Sequence, residues 1–488
     1  MTRMMKFEGK NYIGGQWRPP ASNRTFEQRN PATLADVTGT FAESGAEDAD
    51  AAIASAKAAF PEWRTLSPQA RKRLLEQSLG AMRARRDEIA AVITRENGKS
   101  LREARNEVDS GLREMDYQIA EGLRMCGQTV PVEAGGTLAY STREPLGPVG
   151  IVTPWNFPFN VPSRKCTPAL MAGNTVVLKP ASLTPRTGLL YAELIAAGGV
   201  PPGVMNCVTG AGRAAGNAIV GDSRIKAISF TGSTAVGKAI QLEAARNLTP
   251  TQLELGGKNP AIVLADADLD YAVTEIVRAA YTVAGQWCTS TSRVIVVEEI
   301  AEQITAKLVA AVRGIVVRDG TAEDCGMGPV CGAQQQKDVL RYIEVGQAEG
   351  ARLLCGGTAL TGAGYDGGCF IAPTIFGGVT RTMQIAREEV FGPVLVIVTV
   401  RDFEEAVAVA NDVAYGLASS IFTNDLKRAL TYMERAEVGI AHVNLMTSMR
   451  EPQLPFGGVK ESGAGLPEAG STAIEFFTHH KVCYVKYR

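Results

Sequence analysis

The sequence has few of the side chains on which many kinds of active site depend. Its 488 residues include three histidines, His442, His479 and His480, all near the carboxyl end. Histidine-rich metal centres and Ser-His-Asp triads need this residue close to the chemistry, so we expect neither a metal site nor such a triad. The nine cysteines form no CxxC pair, and a chain of this length folds without disulfides, so each is expected to be a reduced thiol.

A charge imbalance and long apolar runs are also absent. The 50 Lys+Arg and 51 Asp+Glu leave a net charge of −1, so no strong field attracts a nucleic-acid backbone or an anionic membrane. Apolar runs such as Val394–Val400 are far shorter than the about 18 residues that span a bilayer. No apolar segment follows the charged start in the manner of a secretory signal. We therefore expect a cytoplasmic protein with no nucleic-acid or membrane partner.

The pattern that is present is an alternation of helices and short strands. Three helices are predicted near the amino end, over Ala46–Phe60, Ser67–Asn97 and Lys99–Met125, with Gly98 as a stop. From Val149 on, β-branched runs alternate with helices, which indicates a parallel sheet covered on both faces and a nucleotide-binding α/β layout. A second such series begins near Pro260, so two α/β domains are predicted. The predicted strands are Val149–Thr153, Thr175–Lys179, Met205–Val208, Ala227–Phe230, Ala261–Leu264, Val294–Val297, Val394–Val400, Ala418–Phe422 and Gly439–Val443.

Two stretches, Thr129–Arg143 and Phe476–Tyr487, fit neither series. Each alternates apolar residues with strand formers. Peripheral strands of this kind leave open edges unless they are paired, and self-association is a natural solution.

Three polar residues stand where α/β proteins carry out chemistry, although each also has a plainer interpretation. Cys288 lies in a loop of small and polar residues, where it is a candidate nucleophile or an ordinary buried thiol. Glu254, at the end of an apolar strand, suits a general base or an ion pair. Asn156, in a loop restricted by two prolines, suits an oxyanion donor or an Asx turn.

Two glycine-rich segments are candidates for binding phosphate. In 228–237 a strand leads into Gly232 and Ser233, where the N–H groups at a helix start can receive a pyrophosphate. The segment 208–216 contains a GxGxxxG pattern that is equally consistent with a tight turn.

Seven motifs together carry more weight than any one of them. Their order and spacing resemble those of the NAD(P)-dependent aldehyde dehydrogenase superfamily over nearly the whole chain. The resemblance implies an α/β fold with a Rossmann-like cofactor domain (residues 1–124 and 147–255), a related α/β catalytic domain (256–460) and a small β oligomerisation arm (125–146 and 472–488), assembled as a homodimer or homotetramer. The motifs are Thr153-Pro-Trp-Asn-Phe-Pro158, Lys179-Pro-Ala-Ser182, Phe230-Thr-Gly-Ser-Thr-Ala-Val-Gly237, Leu253-Glu-Leu-Gly-Gly-Lys258, Gly285-Gln-Trp-Cys288, Glu388-Glu-Val-Phe-Gly-Pro393 and Pro455-Phe-Gly-Gly-Val-Lys460.

The resemblance also implies a reaction, the oxidation of an aldehyde to a carboxylic acid. Cys288 would attack the carbonyl, and Asn156 with the Cys288 N–H would hold the oxyanion of the thiohemiacetal. Hydride transfer to nicotinamide would leave a thioester, which water activated by Glu254 would hydrolyse. Glu254 argues against the related CoA-acylating branch, which typically lacks this glutamate.

The cofactor site follows from the same resemblance. Lys179 and Ser182 are expected near the adenosine ribose, and many NAD-preferring relatives carry a glutamate in place of Ser182 that repels a 2′-phosphate. We therefore expect the protein to tolerate NADP. Either NADP is preferred over NAD, or both cofactors are used. The expected cofactor-binding residues are Thr153, Trp155, Lys179, Ser182, Gly212, Arg213, Phe230, Gly232, Ser233, Glu389 and Phe391.

The choice of aldehyde depends on two arginines. Arg164 stands where succinic semialdehyde dehydrogenases place an arginine that binds the substrate carboxylate. Their second such arginine is replaced here by Thr282, and Arg450 is a candidate substitute, while Phe157 and Trp287 are expected to make the entrance apolar.

These residues leave several activities open. We expect an ω-semialdehyde of a carboxylic or 2-oxo acid, of the succinic or 2-oxoglutaric type, ahead of an aromatic aldehyde of the benzaldehyde or vanillin type. The alternatives of other classes are a non-catalytic nucleotide-binding protein of the same fold and a cysteine hydrolase that needs no nicotinamide.

Overall fold

The computed structural model describes residues 7–488 and has the predicted α/β architecture. None of the helices in this range is long and apolar enough to cross a membrane. The strands, in chain order, are β1 (Asn11–Ile13), β2 (Gln16–Arg18), β3 (Thr25–Arg29), β4 (Val37–Ala42), β5 (Thr129–Val130), β6 (Thr137–Pro145), β7 (Pro148–Val152), β8 (Thr175–Lys179), β9 (Met205–Cys207), β10 (Ala227–Thr231), β11 (Thr251–Glu254), β12 (Asn259–Val263), β13 (Thr291–Val297), β14 (Arg352–Cys355), β15 (Thr374–Gly377), β16 (Val394–Val400), β17 (Tyr415–Gly416), β18 (Ala418–Phe422), β19 (Ile440–Val443), β20 (Val459–Lys460), β21 (Gly463–Ala464) and β22 (Thr478–Lys486). The helices are α1 (Ala46–Thr65), α2 (Pro68–Ala84), α3 (Arg86–Asn97), α4 (Leu101–Glu121), α5 (Asn160–Ala172), α6 (Pro185–Ala197), α7 (Asn217–Gly221), α8 (Thr234–Ala245), α9 (Leu269–Tyr281), α10 (Glu298–Arg313), α11 (Ala333–Ala348), α12 (Gln384–Arg387), α13 (Phe403–Asn411), α14 (Leu426–Arg435) and α15 (Thr472–Phe476).

The first large sheet has the strand order β2-β1-β9-β8-β7-β10-β11-β21. Its five central strands run parallel, and antiparallel strands lie at both edges. In β8, Val176 and Leu178 belong to one buried apolar cluster, whereas Val177 belongs to another. Successive side chains of a strand point to opposite faces, so both faces of this sheet are covered by apolar layers, as predicted.

The second large sheet has the order β14-β15-β16-β13-β12-β18-β19. Its strands are parallel apart from the edge strand β14. The strands predicted for this sheet begin and end within three residues of the observed ones. Sequence analysis missed β14 and β15, because both are four residues long and β14 is only partly buried at an edge, so the apolar pattern is weak.

The predicted helix over Ser67–Asn97 is two helices, α2 and α3, which is a correction. Arg85 has φ −112° and ψ 20° and interrupts the helical backbone. Its guanidinium contacts Glu88 Oε1 at 2.6 Å, so an ion pair rather than a glycine or proline accompanies the break. The predicted stop at Gly98 is confirmed: its φ is +92°, and a Cβ there would lie 2.7 Å from Pro329 Cγ.

Helix α1 continues beyond the predicted end at Phe60, through Pro61 to Thr65. Proline lacks an N–H donor and disfavours the interior of a helix, so Pro61 favours a helix that ends before it. The extra turn buries Trp63, whose Nε1 donates to Leu170 O at 3.2 Å. Tertiary packing therefore outweighs the local preference here.

The two peripheral stretches pair with each other, since β22 runs antiparallel to β6 from Thr478 opposite Pro145 to Lys486 opposite Thr137. The short strand β5 completes this three-stranded sheet. Several of its large apolar side chains are exposed, namely Val130, Leu138, Val482, Tyr484 and Val485.

Candidate active site

The candidate residues lie where the carboxyl edge of the first sheet meets the amino edge of the second. Lys179 and Glu254 end β8 and β11, and Thr153 follows β7. From the second sheet, Cys288 precedes β13 and Glu389 precedes β16. The rule that ligands bind beyond the carboxyl ends of parallel strands accounts only for the first group.

The loop that carries Cys288 is held through its backbone, and the residue itself is half-buried. Asn259 Nδ2 donates to Cys288 O at 2.7 Å and to Ser290 O at 2.9 Å. Thr447 Oγ1 donates to Thr289 O at 2.6 Å. The loop is therefore fixed without using the sulfur, which is what a nucleophilic thiol requires.

Three consecutive residues before this loop adopt left-handed backbone angles: Val283 (φ 55°), Ala284 (φ 53°) and Gly285 (φ 68°). A valine rarely occupies this region, and such strained residues cluster at functional sites. The turn places Gln286 so that its carbonyl oxygen accepts from Asn156 Nδ2 at 3.0 Å. It therefore ties the loop of Cys288 to the loop of Asn156.

Asn156 is buried, and one hydrogen of its amide remains for another acceptor after the bond to Gln286. The backbone carbonyl oxygen of Asn156 accepts from Lys99 Nζ at 2.6 Å. Lys99 also pairs with Glu107 at 2.6 Å, and both side chains have no exposed surface. Glu107 in turn accepts from the N–H of Phe159 at 2.9 Å. This pair fixes the loop that presents Asn156.

Sequence analysis missed both members of this pair. Glu107 lies on the face of α4 that also buries Ala104, Val108 and Gly111. A charged residue within the apolar stripe of a helix is almost never fully buried unless it is paired, so its position was an available signal. Lys99 had no such signal, because the segment around Gly98 stood out only as a helix stop.

Glu254 belongs to a buried cluster of charges. Its Oε2 atom has no hydrogen-bond partner among the described residues. Burial raises the pKa of Glu254 well above its usual value, and the Glu468 carboxylate raises it further, against the opposing effect of Arg164 and Lys165. Glu468 contacts Arg164 Nε at 2.8 Å and also pairs with Lys165. Burial and the neighbouring carboxylate therefore favour the protonated form of Glu254.

The surroundings of Cys288 favour the protonated thiol. Burial raises its pKa to about 12, and the nearby Arg164 guanidinium opposes this rise. Glu254 and Glu389 act in the opposite direction. The thiol must therefore lose its proton when it attacks.

The two arginines proposed for the substrate both lie near Phe456. The Cζ atoms of Arg164 and Arg450 are 4.3 Å and 5.9 Å from the centroid of its ring. Arg450 pairs with Glu114 and also donates to Asn160 Oδ1 at 2.8 Å. Both arginines are close enough to Cys288 to interact with its charge.

The two aromatic residues predicted at the entrance also lie together. The rings of Phe157 and Trp287 are 4.9 Å apart between centroids. They come from the loops that carry Asn156 and Cys288.

Residues expected at the phosphate and nicotinamide end of a dinucleotide are arranged as that ligand requires. Ser233 caps α8 without a side-chain hydrogen bond, so the first N–H groups of this helix stay available for an anion. Thr153 Oγ1 is buried and has no partner among the described residues. The rings of Trp155 and Phe391 are perpendicular at 5.4 Å. Glu389 accepts from the N–H of Gly257 at 3.0 Å, and burial raises its pKa to about 7.

Other predicted residues surround the expected adenosine end. Ser182 Oγ donates to Gly210 O at 3.0 Å. Lys179 is buried, which lowers its pKa to about 8. A residue that sequence analysis missed, Glu43, accepts from the N–H of Ala211 at 3.1 Å and interacts with Lys179. Of the remaining three predicted residues, Gly212 and Arg213 are exposed at the start of a short π-helix, Gly212–Gly216. The ring of Phe230 packs against Gly232, where a Cβ would come within 2.4 Å of it.

These features fit a nicotinamide dinucleotide, because they combine an uncapped helix start, a buried hydroxyl without a partner and carboxylates suited to ribose. Among residues 7–488, no group of three or more His, Cys, Asp or Glu side chains is arranged to hold a metal ion.

Comparison with known proteins gives a consistent result. The sequence matches the aldehyde dehydrogenase family over residues 17–483. An alpha-ketoglutaric semialdehyde dehydrogenase of Bacillus subtilis (strain 168) is 41% identical over 479 residues, which cover 98% of both chains. An alpha-ketoglutarate semialdehyde dehydrogenase of Haloferax volcanii is 37% identical over 479 residues, which cover 98% of this chain and 99% of that one.

Solved structures agree with the sequence matches. The betaine aldehyde dehydrogenase of Staphylococcus aureus in complex with NAD+ superposes with a TM-score of 0.97 at 31% identity, covering 100% of this chain and 97% of that one. An NADP-dependent enzyme of E. coli superposes with a TM-score of 0.95 at 34% identity, covering 100% and 99%.

Proposed function

The chain belongs to the aldehyde dehydrogenase family and is an NAD(P)-dependent aldehyde dehydrogenase, and we propose that it oxidises a 2-oxo acid semialdehyde of the 2-oxoglutaric type. Two relatives with this activity in their names align over nearly the whole chain. The predicted ω-semialdehyde class therefore takes precedence over the aromatic alternative.

The observation that carries the proposal is the pair of guanidinium groups beside Cys288. Arg164 and Arg450 both interact with the charge of Cys288, and they lie 4.3 Å and 5.9 Å from the centroid of the Phe456 ring. Each contacts one carboxylate, Glu468 or Glu114, which leaves part of each five-donor guanidinium group for a ligand. Two guanidinium groups at one place favour a substrate that carries a carboxylate.

We assign the covalent step to Cys288, whose thiol passes its proton to solvent water and whose thiolate then attacks the aldehyde carbon. The free amide hydrogen of Asn156 and the N–H of Cys288 stabilise the oxyanion that forms. Two contacts keep Asn156 in place. The backbone carbonyl of Gln286 accepts from its side-chain amide, and Lys99 Nζ donates to its backbone carbonyl. When bound, NAD(P)+ supplies the hydride acceptor that allows oxidation to the thioester level.

Glu254 is assigned the second half of the reaction. In its ionised form it removes a proton from the water that attacks the thioester carbonyl, which releases the acid and restores the Cys288 thiol. Burial beside Glu468 makes Glu254 a stronger base than a solvated carboxylate, because its raised pKa favours the protonated product.

We infer that both NAD and NADP are used. Ser182 presents a hydroxyl rather than a carboxylate, so it does not repel a 2′-phosphate. Lys179 adds a cation at the same end, whereas Glu43 adds a carboxylate that opposes a clear preference for NADP.

We further propose a homodimer or homotetramer built through the sheet of β5, β6 and β22. Its exposed apolar side chains, such as Tyr484 and Val482, are 72% and 58% exposed. Apolar area of this kind is usually covered by a partner. The domain division given above, with this sheet as the arm, remains part of the proposal.

The experiment follows the formation of reduced nicotinamide by purified protein. NAD and NADP are each paired with 2-oxoglutaric semialdehyde, succinic semialdehyde, pentanal and benzaldehyde. We expect kcat/KM to be highest for the carboxylated aldehydes, with 2-oxoglutaric semialdehyde first. A higher value for pentanal or benzaldehyde would reject the substrate assignment, and the absence of turnover with every pair would favour a non-catalytic protein.

A further inference from the structure

Asn160 holds a buried amide donor that no other described residue uses. Its side chain is 2% exposed, and its Nδ2 atom has no hydrogen-bond partner among residues 7–488. Its Oδ1 atom accepts from Arg450 Nη2 at 2.8 Å. A guanidinium can only donate, so this contact fixes which branch of the amide is oxygen and which is nitrogen. The N–H groups of Nδ2 are therefore real donors without an acceptor.

An unused buried donor costs free energy comparable to a lost hydrogen bond. In folded proteins such a group is usually paired with another residue, with ordered water or with a ligand. Of the other residues that contact Arg450, Glu114 is a carboxylate without a donor, and Ser110, which accepts at 3.0 Å, is only half-buried, so its hydroxyl can donate to water.

Asn160 also lies beside the arginines assigned to the substrate carboxylate. Asn160 and Arg164 are four residues apart in α5, so they share one helix face. Arg450, which donates to Asn160 Oδ1, interacts with the charge of Cys288. The Asn160 amide therefore adjoins the arginine pair, on the helix that follows the loop of Asn156.

We propose that Asn160 Nδ2 donates to the 2-oxo oxygen of the substrate and so distinguishes 2-oxo acid semialdehydes from plain carboxylic semialdehydes. The inference rests on the proposed function. A 2-oxo carboxylate presents three neighbouring oxygens, whereas succinic semialdehyde presents only the two carboxylate oxygens at that end. Arg450 and Arg164 suit the carboxylate, and the extra oxygen needs one more donor.

The test compares kcat/KM for 2-oxoglutaric semialdehyde with kcat/KM for succinic semialdehyde in three variants. Asn160→Asp keeps the shape and an oxygen for Arg450 but removes the donor. Asn160→Ala removes both. The control Ser110→Ala removes the other acceptor of the same Arg450 nitrogen and leaves the Asn160 donor intact.

We expect the ratio of the two kcat/KM values to fall about tenfold or more in both Asn160 variants and to stay unchanged in Ser110→Ala. The negative charge of Asn160→Asp acts on both carboxylated substrates, so it cancels in the ratio. Equal losses on the two semialdehydes, or the same fall in Ser110→Ala, would overturn the inference while leaving the proposed function in place. A wild-type protein that does not oxidise 2-oxoglutaric semialdehyde would overturn both.

Discussion

Two buried charge clusters adjoin the active site and differ in how completely their polar atoms are paired. Lys99 and Glu107 form a closed pair that also bonds to the backbone of Asn156 and Phe159. Around Glu254, by contrast, a carboxylate oxygen has no partner, and the pKa of the group is raised by burial. A fully paired cluster fixes geometry, whereas an incompletely paired one can gain and lose a proton. The difference separates residues that position from residues that react.

The strongest test of the difference between the two clusters is Glu254→Gln, which changes the residue that reacts. We expect kcat to fall about 10³-fold, because the amide cannot accept a proton from water. The first turnover should survive as a burst of reduced nicotinamide, since acylation of Cys288 does not need that water. Stopped-flow absorbance measures both phases.

The control for this variant is Glu461→Gln, which alters an exposed pair with Lys238. It should leave both phases as in the wild type. Loss of the burst together with the steady state in Glu254→Gln would show that Glu254 acts before the thioester and not after it.

The closed pair is broken by Lys99→Met. Removal of one partner leaves Glu107 buried and unpaired, so we expect the free energy of unfolding to fall by about 3–5 kcal/mol. Urea unfolding followed by fluorescence measures the change. Lys99→Met combined with Glu107→Gln should recover part of the loss, because the uncompensated charge is gone while an acceptor for Phe159 remains. An unchanged midpoint in the single variant would contradict a supporting role.

The pKa of Cys288 gives a prediction for the protein without cofactor. Below a pKa of about 12 the thiolate fraction rises tenfold with each pH unit. The rate of alkylation of Cys288 by iodoacetamide, followed by peptide mass spectrometry, should therefore keep rising between about pH 7 and pH 10. A rate that levels off near pH 8 would contradict the prediction, because it would show that the pKa of Cys288 is near 8 and that a further cation stabilises the thiolate.

The smallest effect is expected at the more open cofactor end, from Ser182→Glu. The carboxylate should repel a 2′-phosphate and lower kcat/KM for NADP about tenfold relative to NAD, or about 1.4 kcal/mol. Ser182→Ala removes the same hydroxyl without adding charge and serves as the control. Equal ratios of the specificity constants in both variants would place the 2′-phosphate away from Ser182.

The fold and one edge of the site could be predicted from the sequence for a clear physical reason. Fully buried parallel strands are continuous apolar runs, so β8 and β16 could be located to the residue. Glu254, a polar residue at the end of such a strand, stands out against the apolar run, and Cys288 stands out in a loop of small and polar residues. Lys179 and Glu389 were identified only by the resemblance of their motifs to a family.

The remainder depends on contacts between residues far apart in the chain. Glu468 reaches Lys165 across about 300 residues of sequence, and Arg450 reaches Asn160 in the same way. No local pattern records such a pairing, so the donor on Asn160 and the pair of Lys99 with Glu107 became visible only in three dimensions. Oligomer size and cytoplasmic location stay predictions.

The most direct test of the central claim is the intact mass of Glu254→Gln protein mixed with 2-oxoglutaric semialdehyde and NAD or NADP. If Cys288 carries the acyl group and Glu254 releases it, the protein should gain the mass of one acyl group. The gain should require the cofactor and should be absent when Cys288→Ala is added. A protein that stays unmodified while it forms reduced nicotinamide, or a gain that persists without Cys288, would contradict the account.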